Sequence, residues 1–272
     1  VETGIDSELV IWLARLPFLA AQDLALLTGR SEANVEGHLR EMDRTGWTEW
    51  VQPSSREIDS AELSVLTQPA RHWVTGQLHG PMGQAPELPL SWYDIVYRLA
   101  CLETTVVLNI FAAELVASLR RVGEVEVRDL RALPSRRPWG AWWPPGVHAY
   151  GCLTGPVGYA PFFVACDQVG VPAAHRRVLV TGWAKFRGSR RAWGGDDIPP
   201  ILVICPEAEQ EDSWERVVSA SADNRRTAPL RVVLTHRSRD FSADPCGAHW
   251  RTAESRLRLT LERRLTWTGR LP

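Results

Sequence analysis

Cys166 and Asp167 stand side by side at the end of an apolar run, Tyr159 to Asp167, with His148 eighteen residues before the cysteine. A thiol beside a carboxylate is the raw material of a nucleophile. A cysteine inside a buried strand, however, is usually an inert packing residue, and a lone strand histidine is usually structural. The seven histidines are scattered, and no metal site is assigned to them. The five cysteines (Cys101, Cys152, Cys166, Cys205, Cys246) are odd in number and widely spaced, with no Cys-x-x-Cys pair. That pattern fits reduced thiols and supports neither a disulfide framework nor a zinc ribbon. Gly-x-Ser-x-Gly, Gly-x-x-x-x-Gly-Lys-Ser/Thr, His-Glu-x-x-His and Gly-x-Gly-x-x-Gly are all absent from the sequence. No catalytic residue, metal ligand or cofactor is assigned.

Anion binding is the other chemistry on offer. The stretch His175 to Trp193 carries Arg176, Arg177, Lys185, Arg187, Arg190 and Arg191, flanked by Trp183 and Trp193. Guanidinium groups pair with phosphates and indoles stack on bases, so this composition suits a nucleic-acid surface. The alternative is a solvated helix face whose tryptophans turn to the core. A cluster of Trp139, Trp142 and Trp143 in the loop Pro134 to Pro145 is either a partner site or a packed loop over a sheet edge. A second set lies near the N-terminus: Ser31, Asn34, His38 and Arg40 on one predicted helix, with Arg30, Arg44 and Arg56 around it. Polar groups of these types read base edges and phosphates. Glu32, Glu36 and Glu41 interrupt them and would repel a phosphate backbone. DNA reading and protein contact stay open alternatives for this helix.

The elements that position these groups fall into three segments. In residues 1–80, Leu9, Leu13 and Leu16 recur at helical spacing until Pro17, and Ala20 to Leu27 forms a second helix. Ser31 is placed to N-cap a third, whose stripe is Val35, Leu39 and Met42 and which Gly46 ends. Trp47 to Gln52 and Glu62 to Thr67 read as strands around a turn at Pro53 to Arg56. Helix, turn, helix and hairpin in that order make a winged helix–turn–helix, a pattern able to dock its third helix in a DNA major groove. Residues 81–122 hold two connecting or dimerisation helices within Ser91 to Arg121, with Ile95, Leu99, Leu102, Val106, Ile110, Leu115 and Leu119 as the expected core stripe.

Residues 123–272 alternate strand and helix. Strands are expected at Glu124 to Leu130, Val147 to Leu153, Tyr159 to Asp167, Pro200 to Cys205 and Leu230 to Thr235, with helices at His175 to Trp193 and Glu207 to Ala222. Pro200 to Cys205 is continuously apolar, as suits a strand covered on both faces. The fold class is therefore mixed α/β: a winged helix followed by a mixed sheet flanked by helices.

Composition bounds the function. The 272 residues are 44% hydrophobic and 23% charged, with a formal net charge of −1, which excludes a protein that coats nucleic acid by bulk charge. Thirty of the basic residues are arginines and one, Lys185, is a lysine. The near-neutral total hides a split. Residues 1–80 carry six arginines against twelve acidic groups, a net of −6, whereas residues 151–272 carry eighteen basic against thirteen acidic groups, a net of +5. A polyanion is expected to prefer the C-terminal half. Val1 to Asp6 lacks the basic start of a secretory signal, and the longest apolar run, Thr104 to Leu119, contains Asn109 and Glu114. A cytoplasmic protein with no membrane association is expected.

This order of segments resembles the replication-relaxation family of actinobacterial and other Gram-positive mobile elements. The resemblance rests on Leu16-Pro17-Phe18-Leu19 through Gly46, on Leu66-Thr67, and on the later segments Pro144 to Leu153, Tyr159 to Gln168, the helix around Lys185, and Pro199 to Ile204. It implies association with plasmid or conjugative-element DNA, and a second domain similar to the PD-(D/E)xK nuclease fold. The family's carboxylate positions fall here on Gly146 or Val147 and on Ala165, so only Asp167 and Lys185 match. One carboxylate is a poor cage for Mg²⁺. The resemblance therefore implies a pseudo-nuclease that binds double-stranded DNA in replication, transfer or transcription control. A protein adaptor or homodimer is the alternative, and a residual metal-dependent nuclease a third.

Overall fold

In the computed structural model, which describes residues 5–53, 62–78, 90–137, 140–188, 198–223 and 230–268, the chain divides into two units, Val1–Ala117 and Ser118–Pro272. The fold is mixed α/β.

Asp6 opens the first unit by accepting hydrogen bonds from the backbone N–H groups of Glu8 and Leu9, the N-cap of α1 (Ser7–Arg15). Pro17 then diverts the chain through Phe18, a non-glycine residue at φ +65°, into β1 (Leu19–Ala20). The side-chain amide of Asn109 holds that turn, donating to the carbonyls of Pro17 and Phe18 at 2.9 Å each. Next come α2 (Ala21–Thr28), closed by Gly29 at φ +73°, and α3 (Glu32–Arg44), capped by Ser31 as its sequence required. Val35, Leu39 and Met42 are buried, also as expected. β2 (Thr48–Val51) and β3 (Leu63–Leu66) follow, giving an antiparallel sheet in the order β1-β3-β2. The turn expected at Pro53 to Arg56 lies, from residue 54 on, outside the described residues.

After α4 (Gln68–Leu78) come α5 (Trp92–Ala100) and α6 (Leu102–Val122), parted at Cys101. That break corrects the expected stripe. Leu99, before the break, already faces outward on α5, and the reset phase leaves Ile110 exposed while Leu108, Phe111, Ala112 and Leu115 form the buried face of α6. By length and composition α6 is apolar enough to cross a membrane, but 67% of its most apolar stretch is buried within the protein and Asn109 at its middle is fully covered. It is a core helix.

The second unit carries a seven-stranded sheet in the order β10-β9-β8-β7-β6-β5-β4. A meander opens it: β4 (Glu126–Ala132), β5 (Ala149–Gly155) and β6 (Gly158–Cys166), all antiparallel. α7 (Ala173–Gly188) crosses to β7 (Ile201–Cys205), which is parallel to β6, and α8 (Ala208–Asp223) crosses to β8 (Val232–His236), parallel in turn. All five residues of β7 are buried, as its unbroken apolar run demands. After α9 (Arg239–Ala243), β9 (Trp250–Thr252) and β10 (Ser255–Leu259) add antiparallel strands at that edge, and α10 (Leu261–Arg264) follows. At the cross-strand pair Gly151↔Phe162, the aromatic ring lies over the glycine: a Cβ on Gly151 would stand 2.2 Å from Phe162 Cζ. The helix expected to reach Trp193 is described only to Gly188, and Trp139 also lies outside the described residues.

Candidate nucleic-acid interface

On α3 the basic groups are already committed. Arg40 pairs with Glu36 at 3.0 Å and Arg44 with Glu41 at 2.6 Å, both within the helix surface. Arg30, between α2 and α3, bonds Asp6 and also Glu8, the latter at 2.7 Å. Burial pushes the Asp6 carboxyl up, but the hydrogen bonds from Arg30 and the Leu9 N–H outweigh it and hold the group below its usual value. His38 Nδ1 sits 3.8 Å from the same carboxylate. Ser31 spends its hydroxyl on the cap, Asn34 is exposed in the first turn, and Arg56 lies outside the described residues.

α7 has two unlike faces. Its inner face carries Arg176, 4% exposed, whose guanidinium reaches Asp167 Oδ2 at 2.8–2.9 Å and Ser213 Oγ at 2.9 Å. Arg176, expected among the phosphate contacts, is therefore an interior residue: the packing of α7 turns it toward the carboxylate at the end of β6. Trp183 is likewise buried, stacked on Trp214 with its indole N–H on the Pro145 carbonyl at 2.7 Å. Trp143 is buried too, so this part of the tryptophan-rich loop is packed against the core. The outer face presents Arg177 and Lys185, both exposed and engaged in no ion pair among the described residues. The helix Ala173–Gly188 contains no acidic residue at all. Arg187 is half-buried at its end, and Arg190 and Arg191 lie outside the described residues.

The carboxyl ends of β6, β7 and β8 bring together Asp167, Cys205 and His236, the edge where open α/β sheets commonly bind ligands. Here the groups are internally satisfied. Asp167 Oδ2 accepts from Arg176 and from the Trp214 indole at 2.9 Å. Glu211, 1% exposed, receives Arg251 from β9, Arg258 from β10 at 2.9 Å, and faces His236 Nδ1 at 2.5 Å. Burial pushes Glu211 up, but hydrogen bonds from Arg258, His236 and Arg251 outweigh it and lower its pKa. Arg251 also reaches Asp212 at 2.9 Å and Glu215. Burial, with Asp167 and Glu211 nearby, drives the Cys205 thiol well above its ordinary value, which leaves it protonated and unreactive.

The matching nuclease-type positions do not converge. Gly146 adopts φ +69°, and a Cβ there would stand 2.4 Å from a Leu179 methyl. Val147 and Ala165 are buried and apolar. Lys185 follows Arg176 by nine residues, two and a half helical turns, which puts it on the opposite face of α7 from the one that meets Asp167. His148 uses Nδ1 to accept the Cys166 N–H at 3.0 Å, and Cys166 is buried. No group of three histidine, cysteine, aspartate or glutamate side chains is arranged to hold a metal among the described residues.

The Glu211 cluster escaped sequence reading. Arg251 and Arg258 lie forty and forty-seven residues away from it, and no local spacing announces either pair. No strand was expected beyond Thr235, so β9 and β10, which carry these arginines, were missed along with their partners. Compared with protein-family models, curated proteins and solved structures, the chain matches none.

Proposed function

We propose that this is a nucleic-acid-associated protein that acts by binding, with the outer face of α7 as its contact to double-stranded DNA. The observation that carries the reading is the contrast between two helices: α7 displays Arg177 and Lys185 with no acidic residue in the helix, whereas Arg30, Arg40 and Arg44 around α3 are each tied to carboxylates. Free cations on one face neutralise phosphates and release counterions; paired ones gain little. The +5 balance of residues 151–272 favours the same side of the chain.

We read the first unit as a winged helix, supported by its order of helix, strand, two helices and hairpin with sheet order β1-β3-β2. The second unit is read as PD-(D/E)xK-like, supported by a three-stranded meander whose third strand is joined through α7 to a parallel neighbour. Within that reading, cutting is lost because Asp167 is consumed by Arg176 and Trp214 while position 146, at φ +69°, carries a glycine and no carboxylate. The setting that fits is a cytoplasmic accessory role in the replication, transfer or control of a mobile element. A second reading, an adaptor that meets a protein partner through α3, is favoured by the exposed carboxylates there.

Fluorescence anisotropy of the full chain with a labelled duplex tests this. Affinity should fall steeply with salt, and Arg177→Glu combined with Lys185→Glu should weaken it about tenfold or more at low salt. Arg40→Ala and Arg44→Ala should change it little. Absence of binding at low salt would remove the DNA reading and leave the adaptor.

A further inference from the structure

α5 wears its apolar side outward. Its inward face carries Asp94, Ile95 and Arg98, each 5% exposed, while Trp92, Tyr93, Val96, Tyr97 and Leu99 are 55%, 63%, 48%, 49% and 45% exposed. At 3.6 residues per turn, those five share a single continuous arc of roughly 160°. A surface helix ordinarily shows the reverse arrangement. The polar residues are held inside by the helix start itself: Ser91 caps α5, accepting from the Asp94 N–H at 3.2 Å and donating its hydroxyl to the Asp94 carboxylate at 2.5 Å. Trp92 is pre-set as well, stacked on the guanidinium of Arg71 at 5.1 Å.

We propose that this face of α5 is a self-association surface, on which a second copy of the chain seats its own α5 about a two-fold axis. A two-fold contact uses the same patch on both copies, so the patch must be compatible with itself. This one is: it holds no charged side chain, and like meets like without repulsion. The rest of the N-terminal segment is poorly suited, since residues 1–80 carry a net charge of −6. An acidic or basic peptide partner would find nothing to pair with on α5, because Asp94 and Arg98 face inward. The area also suffices. Three aromatic and two aliphatic side chains at these exposures present roughly 500 Å² per copy, hence roughly 1,000 Å² for the pair, the lower bound for a specific interface. Tyrosine and tryptophan are the residue types that dominate binding at such contacts. The inference is independent of nucleic-acid binding.

Sedimentation velocity on the full chain, from about 1 to about 100 μM, reads the outcome. The wild type should pass from monomer to dimer with concentration. Val96→Glu and Tyr93→Glu should each raise the dimer dissociation constant at least about tenfold, with the far-UV circular dichroism spectrum unchanged because both sites are half-exposed. Arg216→Glu, on α8, should leave the dimer intact. A monomer at every concentration overturns the proposal. In that case, failure of Tyr93 to react with a tyrosine-iodinating reagent would assign the face to a segment of the same chain, and ready reaction would assign it to a different partner. A dimer indifferent to both α5 variants overturns it equally.

Discussion

Trp183 and Trp214 stack face to face, their ring centroids 5.4 Å apart and their planes within 5° of parallel. The pair joins α7 to α8, and each indole N–H is spent on a different anchor: Trp183 on the Pro145 carbonyl, Trp214 on the Asp167 carboxylate. Packing and polar chemistry are thus one unit at the ends of the parallel strands.

Removing Asp167 should therefore unfold more than it exposes. Asp167→Ala leaves the buried Arg176 guanidinium and the Trp214 N–H without their acceptor, a loss of about 3–5 kcal/mol. Trp214→Phe keeps an aromatic ring against Trp183 and a partner for Arg176, and loses the indole donor and some packing, for about 1–3 kcal/mol. Urea unfolding followed by far-UV circular dichroism distinguishes the two. If Asp167→Ala is as stable as the wild type, the buried pair does not stabilise the unit.

Asp23 gives the first unit a pH dependence of definite sign. Burial, together with the nearby Glu114 charge, pushes its carboxyl up to about 6, against the opposing hydrogen bond from the Ala20 N–H. A carboxyl raised in the folded state contributes stability that is complete at pH below its unfolded pKa and is lost as pH rises through about 6. Asp23→Asn, whose amide oxygen can still accept from Ala20, should exceed the wild type at pH 8 by up to about 3 kcal/mol and match it near pH 4. Urea midpoints across that range check it; equal midpoints at pH 8 would refute it.

Glu211 behaves in the opposite sense. Its lowered pKa means stability held at neutral pH and lost on acidification through the folded-state value. Glu211→Gln should cost about 3–5 kcal/mol at pH 7 by stranding Arg251 and Arg258. It should also flatten the acid limb of the stability curve. Because Glu211 is 1% exposed, added salt should leave the difference nearly unchanged.

Much of the first unit was legible because its signals are local. Ser31 caps the helix that begins beside it, and Val35, Leu39 and Met42 fall on one face whatever the rest of the chain does. The hairpin needed only the alternation of neighbours. What was illegible depends on distance. The phase break at Cys101 turns Ile110 outward, and no propensity of those residues marks it. Arg176 carries the same charge as Arg177, and which one meets Asp167 is decided by how α7 lies against the sheet. Glu211 collects arginines from β9 and β10 that the sequence places forty residues later.

Gly151 leaves room for no side chain beneath the Phe162 ring as that ring now lies. Phe162 covers it from the paired strand, so Gly151→Ala should cost about 1–3 kcal/mol through the clash with that ring. The double variant Gly151→Ala with Phe162→Leu should recover part of the loss, an interaction measurable as a thermodynamic cycle. Equal costs with and without the ring would show that the two residues are not coupled.

The Asn109 latch on Pro17 and Phe18 has a consequence in time. It joins positions separated by 92 and 91 residues, so the left-handed turn at Phe18 has no clamp until the ribosome has added that length of chain after it. The opening helices leave the exit tunnel early but reach their final arrangement only after the middle of α6 has followed them. Maturation of the N-terminal unit is therefore set by the arrival of its last helix, and a nascent chain stalled before residue 109 holds α1 and α2 in an unfinished state.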